Sequence, residues 1–437
     1  MRDLLSREGP FRHRNVRLYA WFSVLYNARA YYPVFAIFFF ALGLDVKQFF
    51  LMNMVWAAAI FLLEVPSGAI ADTIGRKHLV VFASALMVVE MALLLLAPQN
   101  GGWVLLTMCI LNRLLSGASE AAASGADQSL AYDTLVEHGD ENLWDNVLAT
   151  TMRWRSIGFF VAMIVGALVY DPKFLNWLFG TEFTQTTTLR IPVAIVFVQS
   201  IVCLRITLHM REPVREDIDP CPLLGERCAT ALRLTLRTAA WVFKTPLAAR
   251  IVLGTLLIDS VVRNFVTINS EYYRLIKLPE FSFGFIGAIT AALGFFVPTI
   301  AKALIQRYSP TTNLAFLAGM VLVCLLALIP AIPFMVLPII ILFTAFGFME
   351  FLSSSTLNRL ADSSQRATVL SVKGLAWNLG YGALAMVYAG VLGCFESEEG
   401  SPGGALLRGL PWQALYFAVT TGLFLAIFWR KATKSPS

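Results

Sequence analysis

Residues 68–77 read GAIADTIGRK, a short polar turn that joins two long apolar segments. The flanking segments, residues 49–71 and 78–97, are each long enough to cross a hydrocarbon core of about 30 Å as a helix. The glycines of the turn let two helix ends approach each other, and Asp72 and Arg76 place opposite charges at the junction. The stretch therefore predicts two membrane-spanning helices that are joined by a tight, charged loop.

The same alternation of apolar runs and short polar links continues along all 437 residues. Hydrophobic residues make up 57% of the chain, charged residues make up 14%, and the mean hydropathy is +0.68. A chain of this composition has too few polar residues to cover the surface of a soluble fold. We therefore expect an all-α membrane protein of twelve transmembrane helices in two six-helix bundles. We number the predicted helices span 1 to span 12: residues 18–42, 49–71, 78–97, 102–125, 152–170, 191–209, 247–269, 283–304, 313–331, 334–352, 369–392 and 410–429.

The longest polar interval divides the chain into three parts. We expect an N-terminal bundle, a cytoplasmic linker and a C-terminal bundle over residues 1–210, 211–245 and 246–437. Near the end of the linker, apolar positions such as Leu232, Leu236 and Val242 alternate with Arg233 and Arg237. This pattern predicts a helix that lies on the membrane surface.

The basic residues predict the orientation of the chain. With the amino terminus inside, most of the 34 Lys and Arg residues fall in cytoplasmic segments, so both termini are expected in the cytoplasm. The Arg-rich start leads into an apolar stretch that is too long for a signal-peptide core, and we expect a retained first helix. The net charge of +6 follows from this topology, so the chain gives no reason to expect nucleic acid as a partner.

The cysteines and histidines do not form a recognisable catalytic or metal site. The four histidines fall at or near predicted cytoplasmic ends, and three of the cysteines lie inside predicted spans. Cys221 and Cys228 lie in the linker without metal-ligand spacing, and Cys394 is predicted in an external loop. No nucleotide-binding loop is present in the sequence. We therefore expect neither an enzyme nor a primary pump, and no cofactor or metal.

The turn resembles the loop motif of the major facilitator superfamily. That motif has a glycine, an acid four residues later and then Gly-Arg-Lys, and the chain matches it at Gly68, Asp72, Gly75, Arg76 and Lys77. The resemblance implies the fold of that superfamily, with both halves built around a central path.

Three further stretches resemble a bacterial exporter-type branch of the superfamily: residues 63–68, residues 124–133 and residues 366–371. The resemblance implies a monomeric transporter in a bacterial inner membrane that moves a small molecule by alternating access. It favours proton-coupled export of an amphipathic compound, with the bilayer and protons as partners. An organic-anion exchanger or importer is the alternative. A non-transporting sensor or assembly factor is the alternative of another class.

The resemblance also implies a gate at the loop. In the superfamily the acid of the motif faces the start of span 11, which here begins near Arg366. The arginine of the motif meets an acid that follows span 4, so the expected partner of Arg76 is Asp127 or Asp133.

Ionisable groups inside predicted spans are the candidates for substrate binding and coupling, because a charge at bilayer depth is costly without a cavity or a partner. The candidates are Asn27, Arg29, Glu90, Arg113, Asp259, Arg263 and Glu350. Glu120 lies towards an inner end where water reaches, and Glu64 is expected to hold a helix end or a basic neighbour.

Two interpretations of the arginines remain open. In the first, Arg29 and Arg263 face each other across the central path and bind an anionic group on the substrate. In the second, Asp259 neutralises Arg263 four residues away, and Arg29 pairs with Glu64 or Glu90.

Overall fold

The structure, a computed structural model, describes residues 9–213, 224–294, 296–361 and 366–432. Every regular element in these ranges is helical. Eleven helices are long and apolar enough to cross a membrane, or twelve when one bent pair is counted as a single span. The predicted all-α membrane fold is therefore confirmed. We call spans 1–6 the N half and spans 7–12 the C half.

The N half alternates direction through short connections. We call the end of the bundle that carries the Gly75–Lys77 turn the loop end, and the other end the opposite end. The helices of spans 1–6 are Arg14–Asn27 with Phe35–Leu42, Val46–Ile74, Arg76–Leu96, Gly102–Ala123, Trp144–Tyr170 and Ile191–Leu208. Two shorter helices flank span 5, Ala126–Glu137 before it and Pro172–Phe179 after it.

The C half repeats the pattern after a linker helix, Leu224–Lys244. Its spans 7–12 are Pro246–Leu275, Ser282–Leu293 with Val297–Arg307, Pro310–Leu328, Val336–Leu360, Arg366–Glu399 and Pro402–Ala432. A large apolar core runs through both halves, with phenylalanine and tyrosine side chains among the largest fully buried groups.

Span 1 is broken rather than continuous as predicted. The first helix ends at Asn27, and a short 3-10 turn containing Pro33 precedes the second helix. Proline removes a backbone donor, and irregular backbone at membrane depth persists only where the freed groups find partners. Gln199 of span 6 supplies one, because its Nε2 donates to the carbonyl oxygen of Ala28 at 2.9 Å. Arg29 therefore lies in a break and not on a helix.

Span 8 was also predicted as one helix and is divided into two. Its halves meet at a bend of 46°, just before Pro298 in the first turn of the second helix. Phe295, within this junction, lies outside the described residues. A proline at the start of a helix is favourable, so the second helix can begin there in a new direction.

Span 11 continues to Glu399, well past its predicted end. Cys394 therefore lies in a helix, where it is exposed, and its predicted place in an external loop is wrong. Span 12 begins at Pro402, earlier than predicted.

The linker helix packs against spans 2, 7 and 11 and so contacts both halves at the loop end. Thr238 and Val242 lie buried on its inner face, whereas Leu232 and Leu236 are exposed. Exposed leucines beside arginines suit a helix at a membrane surface. Val242, one of the apolar positions whose pattern predicted the surface helix, packs inside instead.

We expect the loop end to be cytoplasmic and test this with thiols. A membrane-impermeant maleimide should label the exposed Cys394 in intact cells. In a Cys394→Ser variant, the two linker cysteines, Cys221 and Cys228, should be labelled only after permeabilisation. Cys221 lies outside the described residues. Cys109, Cys203 and Cys324 are buried and should stay silent. Labelling of a linker cysteine in intact cells would reverse the predicted orientation.

Candidate functional site

A cavity of about 550 Å³ leads from the break in span 1 to the loop end. Its inner wall carries Tyr26, Arg29 and Tyr32, and Asp127 and Arg155 lie at its mouth. Arg155 is exposed, so the cavity reaches water at the loop end.

A second cavity, of about 440 Å³, lies between the two halves. The N half contributes Trp56, Glu64 and Glu120, and the C half contributes Arg263 and Asn378. Glu120 and Ser124 line both cavities, so the two spaces adjoin at Glu120.

Close packing between the halves seals the opposite end. A Cβ on Gly284 of span 8 would come within 2.2 Å of the Met163 carbonyl oxygen of span 5, so only glycine fits this contact. The Val46 amide donates to Glu396 at 2.8 Å, which joins span 2 to span 11. The halves are thus in direct contact at this end.

Spans 2 and 11 pack less closely around two glycines near the loop end. A Cβ on Gly382, in the half of span 11 nearer the opposite end, would contact Ala57 at 3.5 Å. A Cβ on Gly68 or Gly374, nearer the loop end, would have no neighbour within 4 Å among the residues that the structure describes. Because the first cavity reaches the loop end and the halves pack closely at the other end, we interpret the structure as a conformation open at the loop end.

Arg29 is held by an acid within its own half. Its guanidinium donates to Glu90 at 2.6 Å, and the two side chains are only 5% and 0% exposed. Of the two acids that the sequence left open, Glu90 is therefore the one that Arg29 contacts. The Arg29 guanidinium also lies 5.4 Å from the Tyr26 ring centroid.

Arg113 lies nearby but outside the cavity walls. It is buried, donates to the Asn112 side chain at 2.9 Å, and places its guanidinium 5.3 Å from the Phe35 ring centroid. A delocalised cation between a neutral amide and an aromatic face suits a structural role in a core.

Arg263 is also occupied. It donates to Asp259 at 2.7 Å and to Asn378 of span 11 at 2.7 Å, and its guanidinium lies 5.2 Å from the Tyr381 ring centroid. The i,i+4 pairing that the sequence left open is therefore present. Both arginines of the anion-binding hypothesis have a carboxylate partner in this conformation.

The two remaining candidates lie apart. Asn27 lines the first cavity and donates to the Ser23 carbonyl oxygen at 2.7 Å. Glu350 lines a separate cavity of about 320 Å³ and accepts from Lys373 of span 11 at 2.8 Å. Lys373 was not among the candidate site residues chosen from the sequence, although a lysine inside a predicted span is itself an indication of a functional site.

Glu120 and Glu64 are the two acids on the wall of the second cavity, and the arginines nearest Glu120, Arg29 and Arg263, contact other carboxylates. Glu120 is exposed to the cavities, and Glu64 is half-buried. In the described part of the chain, neither side chain makes a hydrogen bond or an ion pair. The expectation that Glu64 holds a basic neighbour is therefore wrong here. Glu120 was expected only to lie near water at an inner helix end, and it also lines both cavities.

The loop motif is anchored to its surroundings. Arg76 donates to Asp133 and, at 2.9 Å, to the Ser129 carbonyl oxygen, so Asp133 is the acid it contacts. Asp127 lies instead on the cavity wall. The amides of Arg76 and Lys77 donate to the Glu212 carboxylate, which thereby binds the positive N-terminus of span 3.

The expected contact of Asp72 with the start of span 11 lies outside the described residues. The side chains of Asp72 and Arg366 are not described, although both positions belong to helices. This half of the gate stays a prediction.

A small polar cluster fixes the start of span 1 at the loop end. His13 Nε2 lies 2.6 Å from Asp140 Oδ2, and Arg12 donates to the same carboxylate at 2.5 Å. These hydrogen bonds lower the pKa of Asp140 below its ordinary value. Asn15 and the Arg211 backbone exchange two hydrogen bonds of 2.9 Å, which ties the start of the linker to the N half.

The sequence profile described as Major Facilitator Superfamily matches residues 18–385. The chain belongs to the Major Facilitator Superfamily. The resemblance drawn from the loop motif is therefore confirmed, and the family places this chain with secondary transporters rather than with enzymes. A search of curated proteins finds no significant match.

Solved structures of three transporters share the fold of this superfamily member. A nucleoside transporter has a TM-score of 0.72 at 15% identity, covering 95% of this chain and 98% of its own. A bacterial homologue of the human lysosomal transporter Spinster, in an inward-facing and occupied conformation, has a TM-score of 0.65 at 15% identity, covering 97% and 98%. A D-xylose–proton symporter has a TM-score of 0.66 at 12% identity, covering 94% and 96%. At these identities the likeness concerns the fold.

Proposed function

We propose that this protein is a proton-coupled transporter that exports a small amphipathic compound by alternating access. One observation carries the proposal: the carboxylate of Glu120, which has no ion-pair partner among the described residues, faces a cavity that reaches the loop end of the bundle. A carboxylate in this position can bind a proton from one side and release it to the other when the halves change conformation.

The walls of the cavity support an amphipathic substrate. Tyr26, Tyr32 and Phe159 contribute aromatic side chains, and Glu120, Asp127 and Arg155 lie on the same walls. A pocket that combines apolar surface with a few polar groups is typical of small-molecule sites. An organic anion receives less support, because Arg29 and Arg263 already have carboxylate partners.

Inverted membrane vesicles test the coupling and the direction together. We expect vesicles with an acidic interior to accumulate one or more compounds from a panel of amphipathic molecules, and a protonophore to abolish the accumulation. Vesicles without the protein are the control. Transport that ignores the proton gradient would overturn the coupling. The absence of transport for every compound, in protein that remains folded, would favour the sensor class.

A further inference from the structure

We infer that the solute carried through this cavity is a cation, and that Glu120, with Glu64 beside it, binds the positive charge. The inference rests on the proposed transport function and adds the charge of the substrate to it. It comes from matching each charged group on the cavity walls with its partner.

The positive groups on the inner walls are already neutralised. Arg29 lies 2.6 Å from Glu90, and Arg263 lies 2.7 Å from Asp259. At the mouth, Asp127 and Arg155 carry opposite charges on the same wall, and no ion pair joins them in the described residues. Among the described residues, the inner cavity walls therefore offer an entering anion no arginine without a carboxylate partner, and Arg155 at the mouth is the exception.

Two carboxylates on the wall of the second cavity remain once the pairs of Arg29 and Arg263 are set aside. Glu64 and Glu120 both line the space between the halves, and in the described ranges neither has an ion-pair or hydrogen-bond partner. Two like charges that share a cavity raise the free energy of the empty site, and a cation placed between them relieves the repulsion. The same charges repel an anion.

Aromatic residues line the same cavities as these acids. Trp56 lines the second cavity together with both carboxylates, while Tyr32 and Phe159 line the first cavity, which also contains Glu120. The face of an aromatic ring attracts a cation, most strongly for tryptophan. A carboxylate flanked by aromatic rings suits an amine, guanidinium or quaternary cation with apolar substituents.

The position of Glu120 also explains how one acid could hold a solute during the conformational change. It lines the cavity that leads to the loop end and the cavity between the halves. A cation bound there contacts the N half through span 4, and groups of the C half lie across the second cavity. We therefore expect Glu120 to contribute more to binding than Glu64.

Two probes of similar shape and opposite charge test the inference. Equilibrium binding of tetraphenylphosphonium and tetraphenylborate is measured on the purified full-length protein. The phosphonium should bind more tightly, and Glu120→Gln should weaken its binding by about tenfold to a hundredfold, the range for a hydrogen bond or contact to a charged group. Glu64→Gln should weaken it less. Glu182→Gln, in an exposed connection outside the cavity, should have no effect.

Glu120→Asp keeps the charge and should retain most of the phosphonium affinity, which separates a charge effect from misfolding. Three results would overturn the inference: no phosphonium binding by the wild type, tetraphenylborate binding as tight as that of the phosphonium, or unchanged phosphonium affinity in a folded Glu120→Gln variant. If proton-driven transport is found for neutral or anionic compounds but for no cation, the cation inference is overturned and the proposed function is kept. Glu120-dependent phosphonium binding without proton-driven transport would sustain the cation site and reject the proposed function.

Discussion

Glu90→Gln is expected to destabilise this protein by about 3–5 kcal/mol, because it removes the carboxylate that contacts the buried guanidinium of Arg29. Arg29 is 5% exposed, Glu90 is 0% exposed, and 2.6 Å separates them. Removing one partner of such a pair costs far more than the pair contributes as a whole. Thermal unfolding of the purified protein in detergent, followed by loss of the monodisperse peak, measures the effect.

Three variants control this prediction. Glu182→Gln removes an exposed acid and should leave the unfolding temperature unchanged. Arg29→Gln combined with Glu90→Gln removes both charges and should recover much of the lost stability. Arg29→Lys keeps the charge, so an ion-pairing role predicts a mild effect on transport, whereas an anion-binding role predicts that transport is lost. Wild-type stability in Glu90→Gln would mean that water in the cavity solvates Arg29.

The membrane fold could be predicted from the sequence because length and hydropathy determine which segments can span a bilayer. The loop motif extended that prediction to the family, since its residues lie within ten consecutive positions. Features of this kind are local in the sequence, so they can be recognised without knowing which helix faces pack against each other.

The partners of the buried charges could not be chosen in the same way. Arg29 and Glu90 lie 61 residues apart in the chain, and Glu64 was an equally reasonable partner. The choice depends on the rotation of spans 2 and 3 about their axes and on the break in span 1. Pro33 is the visible sign of that break, but many membrane helices accommodate a proline without breaking.

Glu120 shows the same limit for the candidate site. Its place near the end of span 4 suggested access to water, which is correct, but proximity to an end does not tell whether a side chain faces lipid, a neighbouring helix or a cavity. Glu120 is a candidate for binding because its side chain faces a cavity. This orientation follows only from the packing of spans 1, 2 and 5 around Glu120.

Gly284→Val is expected to disfavour the closed opposite end and to shift the protein towards the conformation that opens there. Even a Cβ at this position would meet the Met163 carbonyl oxygen at 2.2 Å and the Ala167 side chain at 2.9 Å, so spans 5 and 8 must separate. Overpacking of this kind costs about 1–3 kcal/mol. Because only the closed arrangement bears that cost, the ratio of the two conformations should change by about 5- to 150-fold.

Spin labels at Lys173 and Lys277 measure this shift, because both positions are exposed at the opposite end and belong to different halves. The Gly284→Val variant should lengthen the distance between the labels and reduce transport. Gly319→Val is the matched control, since a Cβ at Gly319 on span 9 would have no neighbour within 4 Å. It makes the same change of residue type in a helix and should leave the distance unaltered. An unchanged distance in Gly284→Val, together with a lower unfolding temperature, would show that the contact stabilises the fold but does not close this end during transport.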